Sequence, residues 1–364
     1  MYNKKISIAI IGGSINSTIG STHIKSIYAS NKYNIICGMF SKNTKINLDS
    51  GKKYDLKKDK IYFNINDLIK NEKENIDLAV VIVPPDEKYK ILKKLVENKI
   101  GIIVEKPLSS NLTDAKKILD LVNKKKIFFF STYNYIHYPA ILEMKSILKK
   151  IGKLIHFNIE MTQQSLIHKN FKIKKWRQKD RSIPNLYLDL ASHCFAMIQY
   201  FTKEKAIQIK NIGFQNIKNN LIDNSYAILR YKKLYGKIWV SKNCLGDRNN
   251  FKISFYGNKG SIHWKHSNPE NLLFYDNNGS LHIIDRLEFK SIKKDQDLFT
   301  YTAGHPNGFL DAFINMYNFI YLSFNKKSKT TSDKNINIKN NFEIMRLMHA
   351  MNLSNLRKNI WIKL

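Results

Sequence analysis

The sequence predicts an α/β protein in two parts: a doubly wound parallel sheet at the N-terminal end, then an α+β domain with a large, mostly antiparallel open sheet. Two observations predict this. Through the first 130 residues, continuous apolar runs alternate with amphipathic segments of helical period. Beyond about residue 135, strand-like runs follow one another instead. Strands covered by helices on both faces are apolar throughout, whereas antiparallel sheets tolerate one wet face.

The elements follow in order. Ile6 to Ile11 is an apolar run ending at Gly12-Gly13, and Gly20 to Ala29 reads as a helix. Tyr33 to Phe40 and the short Ile61 to Phe63 are the second and third strands, and Asp67 to Asn71 fits a short helix. Leu78 to Val83 is a fourth strand, stopped by Pro84-Pro85, and Asp86 to Asn98 has helical spacing at Ile91, Leu92, Leu95 and Val96. Ile100 to Val104 is a fifth strand. Asn111 to Asn123 is a helix that Asn111 or Thr113 can cap. Ile127 to Phe130 completes six strands, which suits a dinucleotide-binding sheet. Thereafter Leu154 to Thr162 reads as a strand and Leu186 to Phe201 as a helix. Strands follow at 207–214, 226–231, 236–245, 252–256 and 261–264, with Tyr256-Gly257-Asn258-Lys259-Gly260 as a hairpin connection. Helices over 306–324 and 338–353 close the chain, separated by a polar loop at 325–337.

Composition narrows the function classes. Lys and Arg number 61 against 29 Asp and Glu, a formal net charge of +32. The excess is spread along the chain, with short clusters such as Lys124 to Lys126 and Lys172 to Lys175, and there is no long basic tail or nucleic-acid-binding motif. It reads as a solvated surface bias that attracts anionic small molecules, not as a specific nucleic-acid interface. Cys37, Cys194 and Cys244 are too scattered for a metal site or a disulfide framework. No metal is expected. No apolar run approaches the roughly 18 residues of a membrane span, so a cytoplasmic enzyme without membrane association is expected.

Three groups of residues carry chemistry. The loop Gly12-Gly13-Ser14-Ile15-Asn16-Ser17-Thr18-Ile19-Gly20 follows the first strand, where glycines allow a tight turn and let a pyrophosphate approach a helix N-terminus. Ser14 stands where the short G-x-G-x-x-G pattern has its second glycine. The second strand ends in Ser41-Lys42, with no acid before Asp49. A hydroxyl and a cation there lean towards the 2′-phosphate of NADP over NAD. The fifth strand ends in Glu105-Lys106-Pro107, at the edge where such sheets bind ligands. A lysine in that place is suited to proton transfer. In the second part Asp189 and His193, four apart, share one helix face, where a carboxylate can orient an imidazole.

Taken as an ordered set, these pieces resemble the Gfo/Idh/MocA oxidoreductases, the glucose–fructose oxidoreductase and inositol dehydrogenase type. The resemblance includes Tyr133-Asn134-Tyr135, Tyr138-Pro139, Trp176-Arg177, Leu188 to His193, Asp223-Asn224, Tyr256 to Gly260 and Gly304-His305-Pro306-Asn307-Gly308-Phe309. It implies a Rossmann domain (1–132), a substrate-binding and oligomerisation domain (133–336), and a final segment (337–364) packing back on the first. It implies NAD or NADP as cofactor, held by Gly12, Gly13, Ser14, Ile19, Ser41, Lys42, Pro85, Glu105, Lys106, Asn134, Trp176 and Arg177. Lys106, Asp189 and His193 match the catalytic positions, and Tyr135 and His305 would line the substrate pocket. The implied reaction moves hydride between nicotinamide and a secondary alcohol of a sugar, sugar derivative or cyclitol, with Lys106 or His193 as the base. A homodimer or homotetramer is the implied assembly. The alternative is a non-catalytic regulator that senses sugar or cofactor on the same fold. Departures from the family are Ser14 and Asn16 in the loop, Pro84-Pro85-Asp86 after strand four, and Ala191 before the histidine.

Overall fold

A computed structural model describes residues 4–168, 180–202, 204–216, 221–290, 298, 301–325 and 337–364. The chain forms two compact units. The first comprises the residues up to Asn134 together with Phe309–Phe342, and the second Tyr135–Gly308 with Glu343–Leu364. The expected boundaries at 132/133 and 336/337 differ from these in the C-terminal third, where 309–342 joins the first unit and 343–364 the second.

The first unit is built on β1 (Ile6–Gly12), β2 (Tyr33–Met39), β3 (Leu78–Ile82), β4 (Gly101–Glu105) and β5 (Phe129–Thr132), ordered β2-β1-β3-β4-β5 and parallel throughout. The described residues thus hold five strands where six were expected. Ile61 makes only a single parallel bridge to Gly38, beyond β2. A 3₁₀ turn over Lys58–Lys60 and the Asn64 cap of the next helix leave too little chain between them for a ladder. With β2 on one side of β1 and β3 on the other, the chain order reverses between β1 and β3, and ligands bind at such a switch point.

Helices α1 (Thr18–Ser30), α2 (Thr44–Lys53), α3 (Ile65–Glu72), α4 (Pro85–Glu97) and α5 (Leu112–Lys125) connect the strands. Helix α2 had no counterpart in the sequence reading. Asn43 begins it by accepting from the Ile46 amide, 3.0 Å. Pro85 is the first residue of α4, where its fixed φ and missing N–H cost nothing. Of the two residues able to cap α5, Asn111 does so, accepting from the Asp114 amide at 2.8 Å. Replacing Asn111 with alanine is expected to lower stability by about 1 kcal/mol, and replacing Thr113 to leave it nearly unchanged, as read by urea unfolding.

The second unit begins with α6 (Pro139–Ile147), also unread in the sequence, and centres on a nine-stranded sheet. Its strands are β6 (Leu154–Thr162), β7 (Gln208–Phe214), β8 (Asn224–Arg230), β9 (Tyr235–Ser241), β10 (Asn250–Gly257), β11 (Gly260–Lys265), β12 (Asn268–Asp276), β13 (Leu281–Ile284) and β14 (Ile362–Lys363). They run β13-β12-β11-β10-β6-β9-β8-β7-β14, with β6 and β9 the parallel pair. Strands β12 to β14 were not anticipated. β12 and β13 carry few residues buried on both faces, so their apolar runs are weak. Helix α7 (Ser192–Phe201) packs on the sheet, with every residue but Gln199 buried.

Among the described residues, α8 (Phe309–Phe324) and α9 (Ile338–Leu356) follow β13, with β14 after them. Phe313, Met316, Tyr317 and Ile320 of α8 enter the same apolar cluster as Ile8, Ile10, Ile24 and Ile27. The expected polar loop at 325–337 falls almost wholly outside the described residues, as do Lys172 to Lys175. No described helix is long and apolar enough to cross a membrane.

Candidate functional site

In the first unit, the site residues follow from the ends of the parallel strands. Gly12 and Gly13 have φ of 85° and 68°, a left-handed turn that an L side chain resists. A Cβ on Gly12 would lie 2.2 Å from the Ile82 carbonyl oxygen, and one on Gly20 would lie 2.5 Å from the Gly13 Cα. The loop therefore closes against β3 and the start of α1 with no room for side chains. Ser17 caps α1 by accepting from the Gly20 amide, and the Ile15 amide donates to Ser50 Oγ, both at 3.1 Å. The glycine cradle at a helix N-terminus fits a dinucleotide pyrophosphate, and Ser14 in place of a glycine leaves that geometry intact. Gly12, Gly13, Ser14 and Ile19 are the residues that would hold it.

At the end of β2, Ser41 Oγ accepts from the Asn43 amide at 3.1 Å, and the Ser41 amide donates to Asn47 Oδ1 at 3.2 Å. Lys42 is exposed and pairs with Glu87 at 2.8 Å. An ion pair this wet contributes little to stability.

The end of β4 is tied by several side chains. The Glu105 carboxylate accepts from His23 Nε2 at 3.0 Å and from the Thr132 hydroxyl. His23 is completely buried, with its Nδ1 2.7 Å from the Tyr317 hydroxyl on α8. Burial pushes the Glu105 carboxyl up, but the hydrogen bond and charge of His23, the charge of Lys106 and the Thr132 bond together hold it below its ordinary value. Lys106 is half-buried at the next position, joined to Pro107 by a cis peptide. Beneath it the ammonium of Lys88, from the first turn of α4, donates to the carbonyls of Glu105 and Pro107. Lys88 was not anticipated. Its spacing was the one available signal, since Lys88 lies three, four and seven positions before Ile91, Leu92 and Leu95 on the inward face of α4, but in a chain with this many lysines its residue type reads as solvated.

In the second unit, Asp189 and His193 lie on one continuous helix, as their spacing of four suggested. The turn over Tyr187–Ala191, however, is a wide π turn that runs into α7. Such one-turn bulges recur at functional sites. Asp189 accepts from Lys242 Nζ at 2.5 Å, an ion pair with the lysine 8% exposed. Lys242 follows β9, where its amide donates to the Asp223 carbonyl and the Asn243 side chain donates to the Asp223 carboxylate. Asp223-Asn224, matched as sequence alone, thus sets the turn that delivers Lys242. His193 is buried with its ring edge-on to Tyr135, centroids 4.9 Å apart. Tyr135 accepts from Asn249 Nδ2 at 2.8 Å, and Tyr138 lies 3.0 Å from His266 Nε2. Burial lowers the pKa of His266. Lys242, Asn249 and His266 sit in the turns just beyond the ends of β9, β10 and β11, far along the chain, and no local pattern marked them.

The remaining expected residues divide. Pro85 and Asn134 are buried in the first unit. His305 is exposed, its carbonyl accepting from Arg286. Trp176 and Arg177 lie outside the described residues. Cys37 and Cys194 are buried thiols whose pKa burial pushes up, Cys37 to about 12, which makes them poor nucleophiles. Among the described residues, no group of His, Cys, Asp or Glu is placed to hold a metal ion.

A glycine cradle at the switch point of a parallel sheet, beside a tethered Glu-Lys-Pro strand end, is the arrangement of a dinucleotide-binding domain. Comparison with known proteins agrees. Residues 6–133 match the family described as the oxidoreductase family with NAD-binding Rossmann fold, and residues 141–263 match the GFO/IDH/MocA C-terminal domain. The chain belongs to the Gfo/Idh/MocA oxidoreductases. An uncharacterized oxidoreductase of Bacillus subtilis, YfiI, is 24% identical over 291 residues, which is 75% of this chain and 74% of that protein. An inositol dehydrogenase homologue from Azotobacter vinelandii, solved with NADH and myo-inositol, superposes with a TM-score of 0.90 at 18% identity, over 99% of this chain and 98% of that one. Levoglucosan dehydrogenase, solved with NADH and levoglucosan, gives 0.84 at 16% identity over 99% of both chains.

Proposed function

We propose that this chain is an NAD(P)-dependent dehydrogenase that oxidises a secondary alcohol of a sugar, sugar derivative or cyclitol. The observation that carries the reading is Lys106, held at the carboxyl end of β4 and fixed in a strand end whose neighbours are all tethered. A bound nicotinamide supplies the hydride acceptor. The protein's own part is to move the hydroxyl proton and to orient the alcohol. Lys106 or His193 takes that proton, and Asp189, held by Lys242, orients the alcohol. Tyr135 and His305 contact the substrate. Neighbours solved with myo-inositol and levoglucosan support a polyol of that size, and the net charge of +32 extends the range to anionic sugars.

For the cofactor we favour NADP, held by Ser41 and Lys42, with Pro85, Glu105, Asn134, Trp176 and Arg177 completing its site. Lys42 gives up an exposed partner, Glu87, at little cost. Nicotinamide fluorescence during titration tests this. NADPH is expected to bind more tightly than NADH, and Lys42→Ala to erase the difference; a preference for NADH would assign the cofactor as NAD. A panel of cyclitols and sugars then tests the chemistry. Cofactor binding without turnover on any of them would put a sugar- or cofactor-sensing regulator in place of the enzyme.

The unit's open sheet exposes Tyr226, Ile228, Tyr235, Leu273 and Tyr275. An apolar face of that kind supports a homo-oligomer, dimer or tetramer.

A further inference from the structure

We infer that Lys88 is a positioning residue for Lys106: its buried side chain clamps the two backbone carbonyls on either side of Lys106 and fixes the direction in which that residue leaves the chain. The inference rests on the reading of Lys106 as the proton-transfer group.

Lys88 is 0% exposed. Fully buried lysines are rare because the ammonium loses its hydration. Two further features disfavour a cation here. Lys88 lies in the first turn of α4, the positive end of the helix dipole. The charge of Lys106 also opposes it, and only Glu105 pulls the other way. Burial, the largest of these effects, pushes the Lys88 ammonium down to about 7. A leucine or methionine would fill the same space with none of these costs. What they would not supply is donors. The Glu105 and Pro107 carbonyls receive their hydrogen bonds from Lys88 Nζ. A neutral amine still carries two N–H bonds, one for each carbonyl, so the clamp outlasts the proton.

The consequence for Lys106 is geometric. Its backbone is flanked by a carbonyl fixed on each side, and the residue before it is fixed again through the Glu105 carboxylate on His23 and Thr132. A side chain with four rotatable bonds is thereby rooted on an immobile peptide, and acid–base groups need their hydrogen-bond geometry held closely.

The test is trace acetylation with acetic anhydride, with the rate at Lys106 read by peptide mass spectrometry against Lys116 on the exposed face of α5. No turnover is needed, so the result stands apart from whether Lys106 proves to be the base. Lys88→Met, which keeps volume but removes donors, is expected to raise the Lys106 rate at least threefold. Lys88→Gln restores two N–H donors and is expected to hold the rate within twofold of wild type, with NADH affinity unchanged. Equal rates in wild type and Lys88→Met would overturn the inference. So would an equal rise in both variants, because volume or charge would then be acting in place of the clamp. Should Lys88→Met not fold, a threefold rise in folded Lys88→Gln is by itself enough to overturn it.

Discussion

Replacing Lys106 with alanine is expected to cut turnover by about two to four orders of magnitude while leaving nicotinamide binding within a few-fold of wild type. The first half follows from proton transfer in the transition state, the second from the cradle glycines Gly12 and Gly13, which the substitution does not touch, so that losing the contact Lys106 itself makes to the cofactor costs only a few-fold. Single-turnover reduction of the cofactor, compared with fluorescence titration, separates the two. His193→Ala makes the matching measurement. If both variants are impaired but only one loses the fall of kcat/KM on the acid side of its pH profile, where a base becomes protonated, that one is the base. Near-normal turnover in Lys106→Ala would remove Lys106 from the chemistry.

The largest stability effect is expected at Glu105. Glu105→Ala leaves the buried His23 and Thr132 without their shared acceptor, and breaking a buried pair in this way costs about 3–5 kcal/mol. The carboxyl sits below its ordinary value in the folded state. Its stabilising contribution is therefore complete above the carboxylate range of the unfolded chain, about 4.3, and is lost as pH falls through the folded value. Thermal unfolding of wild type should weaken across that acid window. Glu105→Gln keeps an acceptor, is expected to lose less than the alanine variant, and should flatten the acid slope. A slope unchanged in Glu105→Gln would assign it to other carboxylates.

Much of the first unit was legible because its signals are local. An apolar run ending in two glycines, a proline pair that stops a strand and an asparagine cap each act within a few residues, and the structure keeps all of them. Ile61 to Phe63 misled for the same reason: its apolar character is real, but capping on both sides leaves one bridge. The candidate site was legible where residues sit at strand ends or share a helix, as with Lys106, Asp189 and His193. It was illegible where position depends on pairing far along the chain. Lys242 reaches Asp189 across 53 positions and Tyr138 reaches His266 across 128. Lys88 was hidden for another reason: its spacing falls on the apolar face of α4, but its residue type reads as one more solvated lysine.

The first unit takes its core from two distant stretches of chain, and this bears on how the protein is made. During synthesis the five parallel strands emerge well before α8, which supplies Phe313, Met316, Tyr317 and Ile320 to the cluster and Tyr317 to His23. Until roughly residue 324 leaves the ribosome, the flank of α1 that α8 covers has no partner, and His23 lacks one of its two polar contacts. Contacts this far apart in sequence form slowly, and exposed apolar surface invites aggregation meanwhile. A nascent chain stalled before α8 should therefore hold a protease-sensitive α1 beside an already ordered sheet, with protection arriving only as the later helix docks.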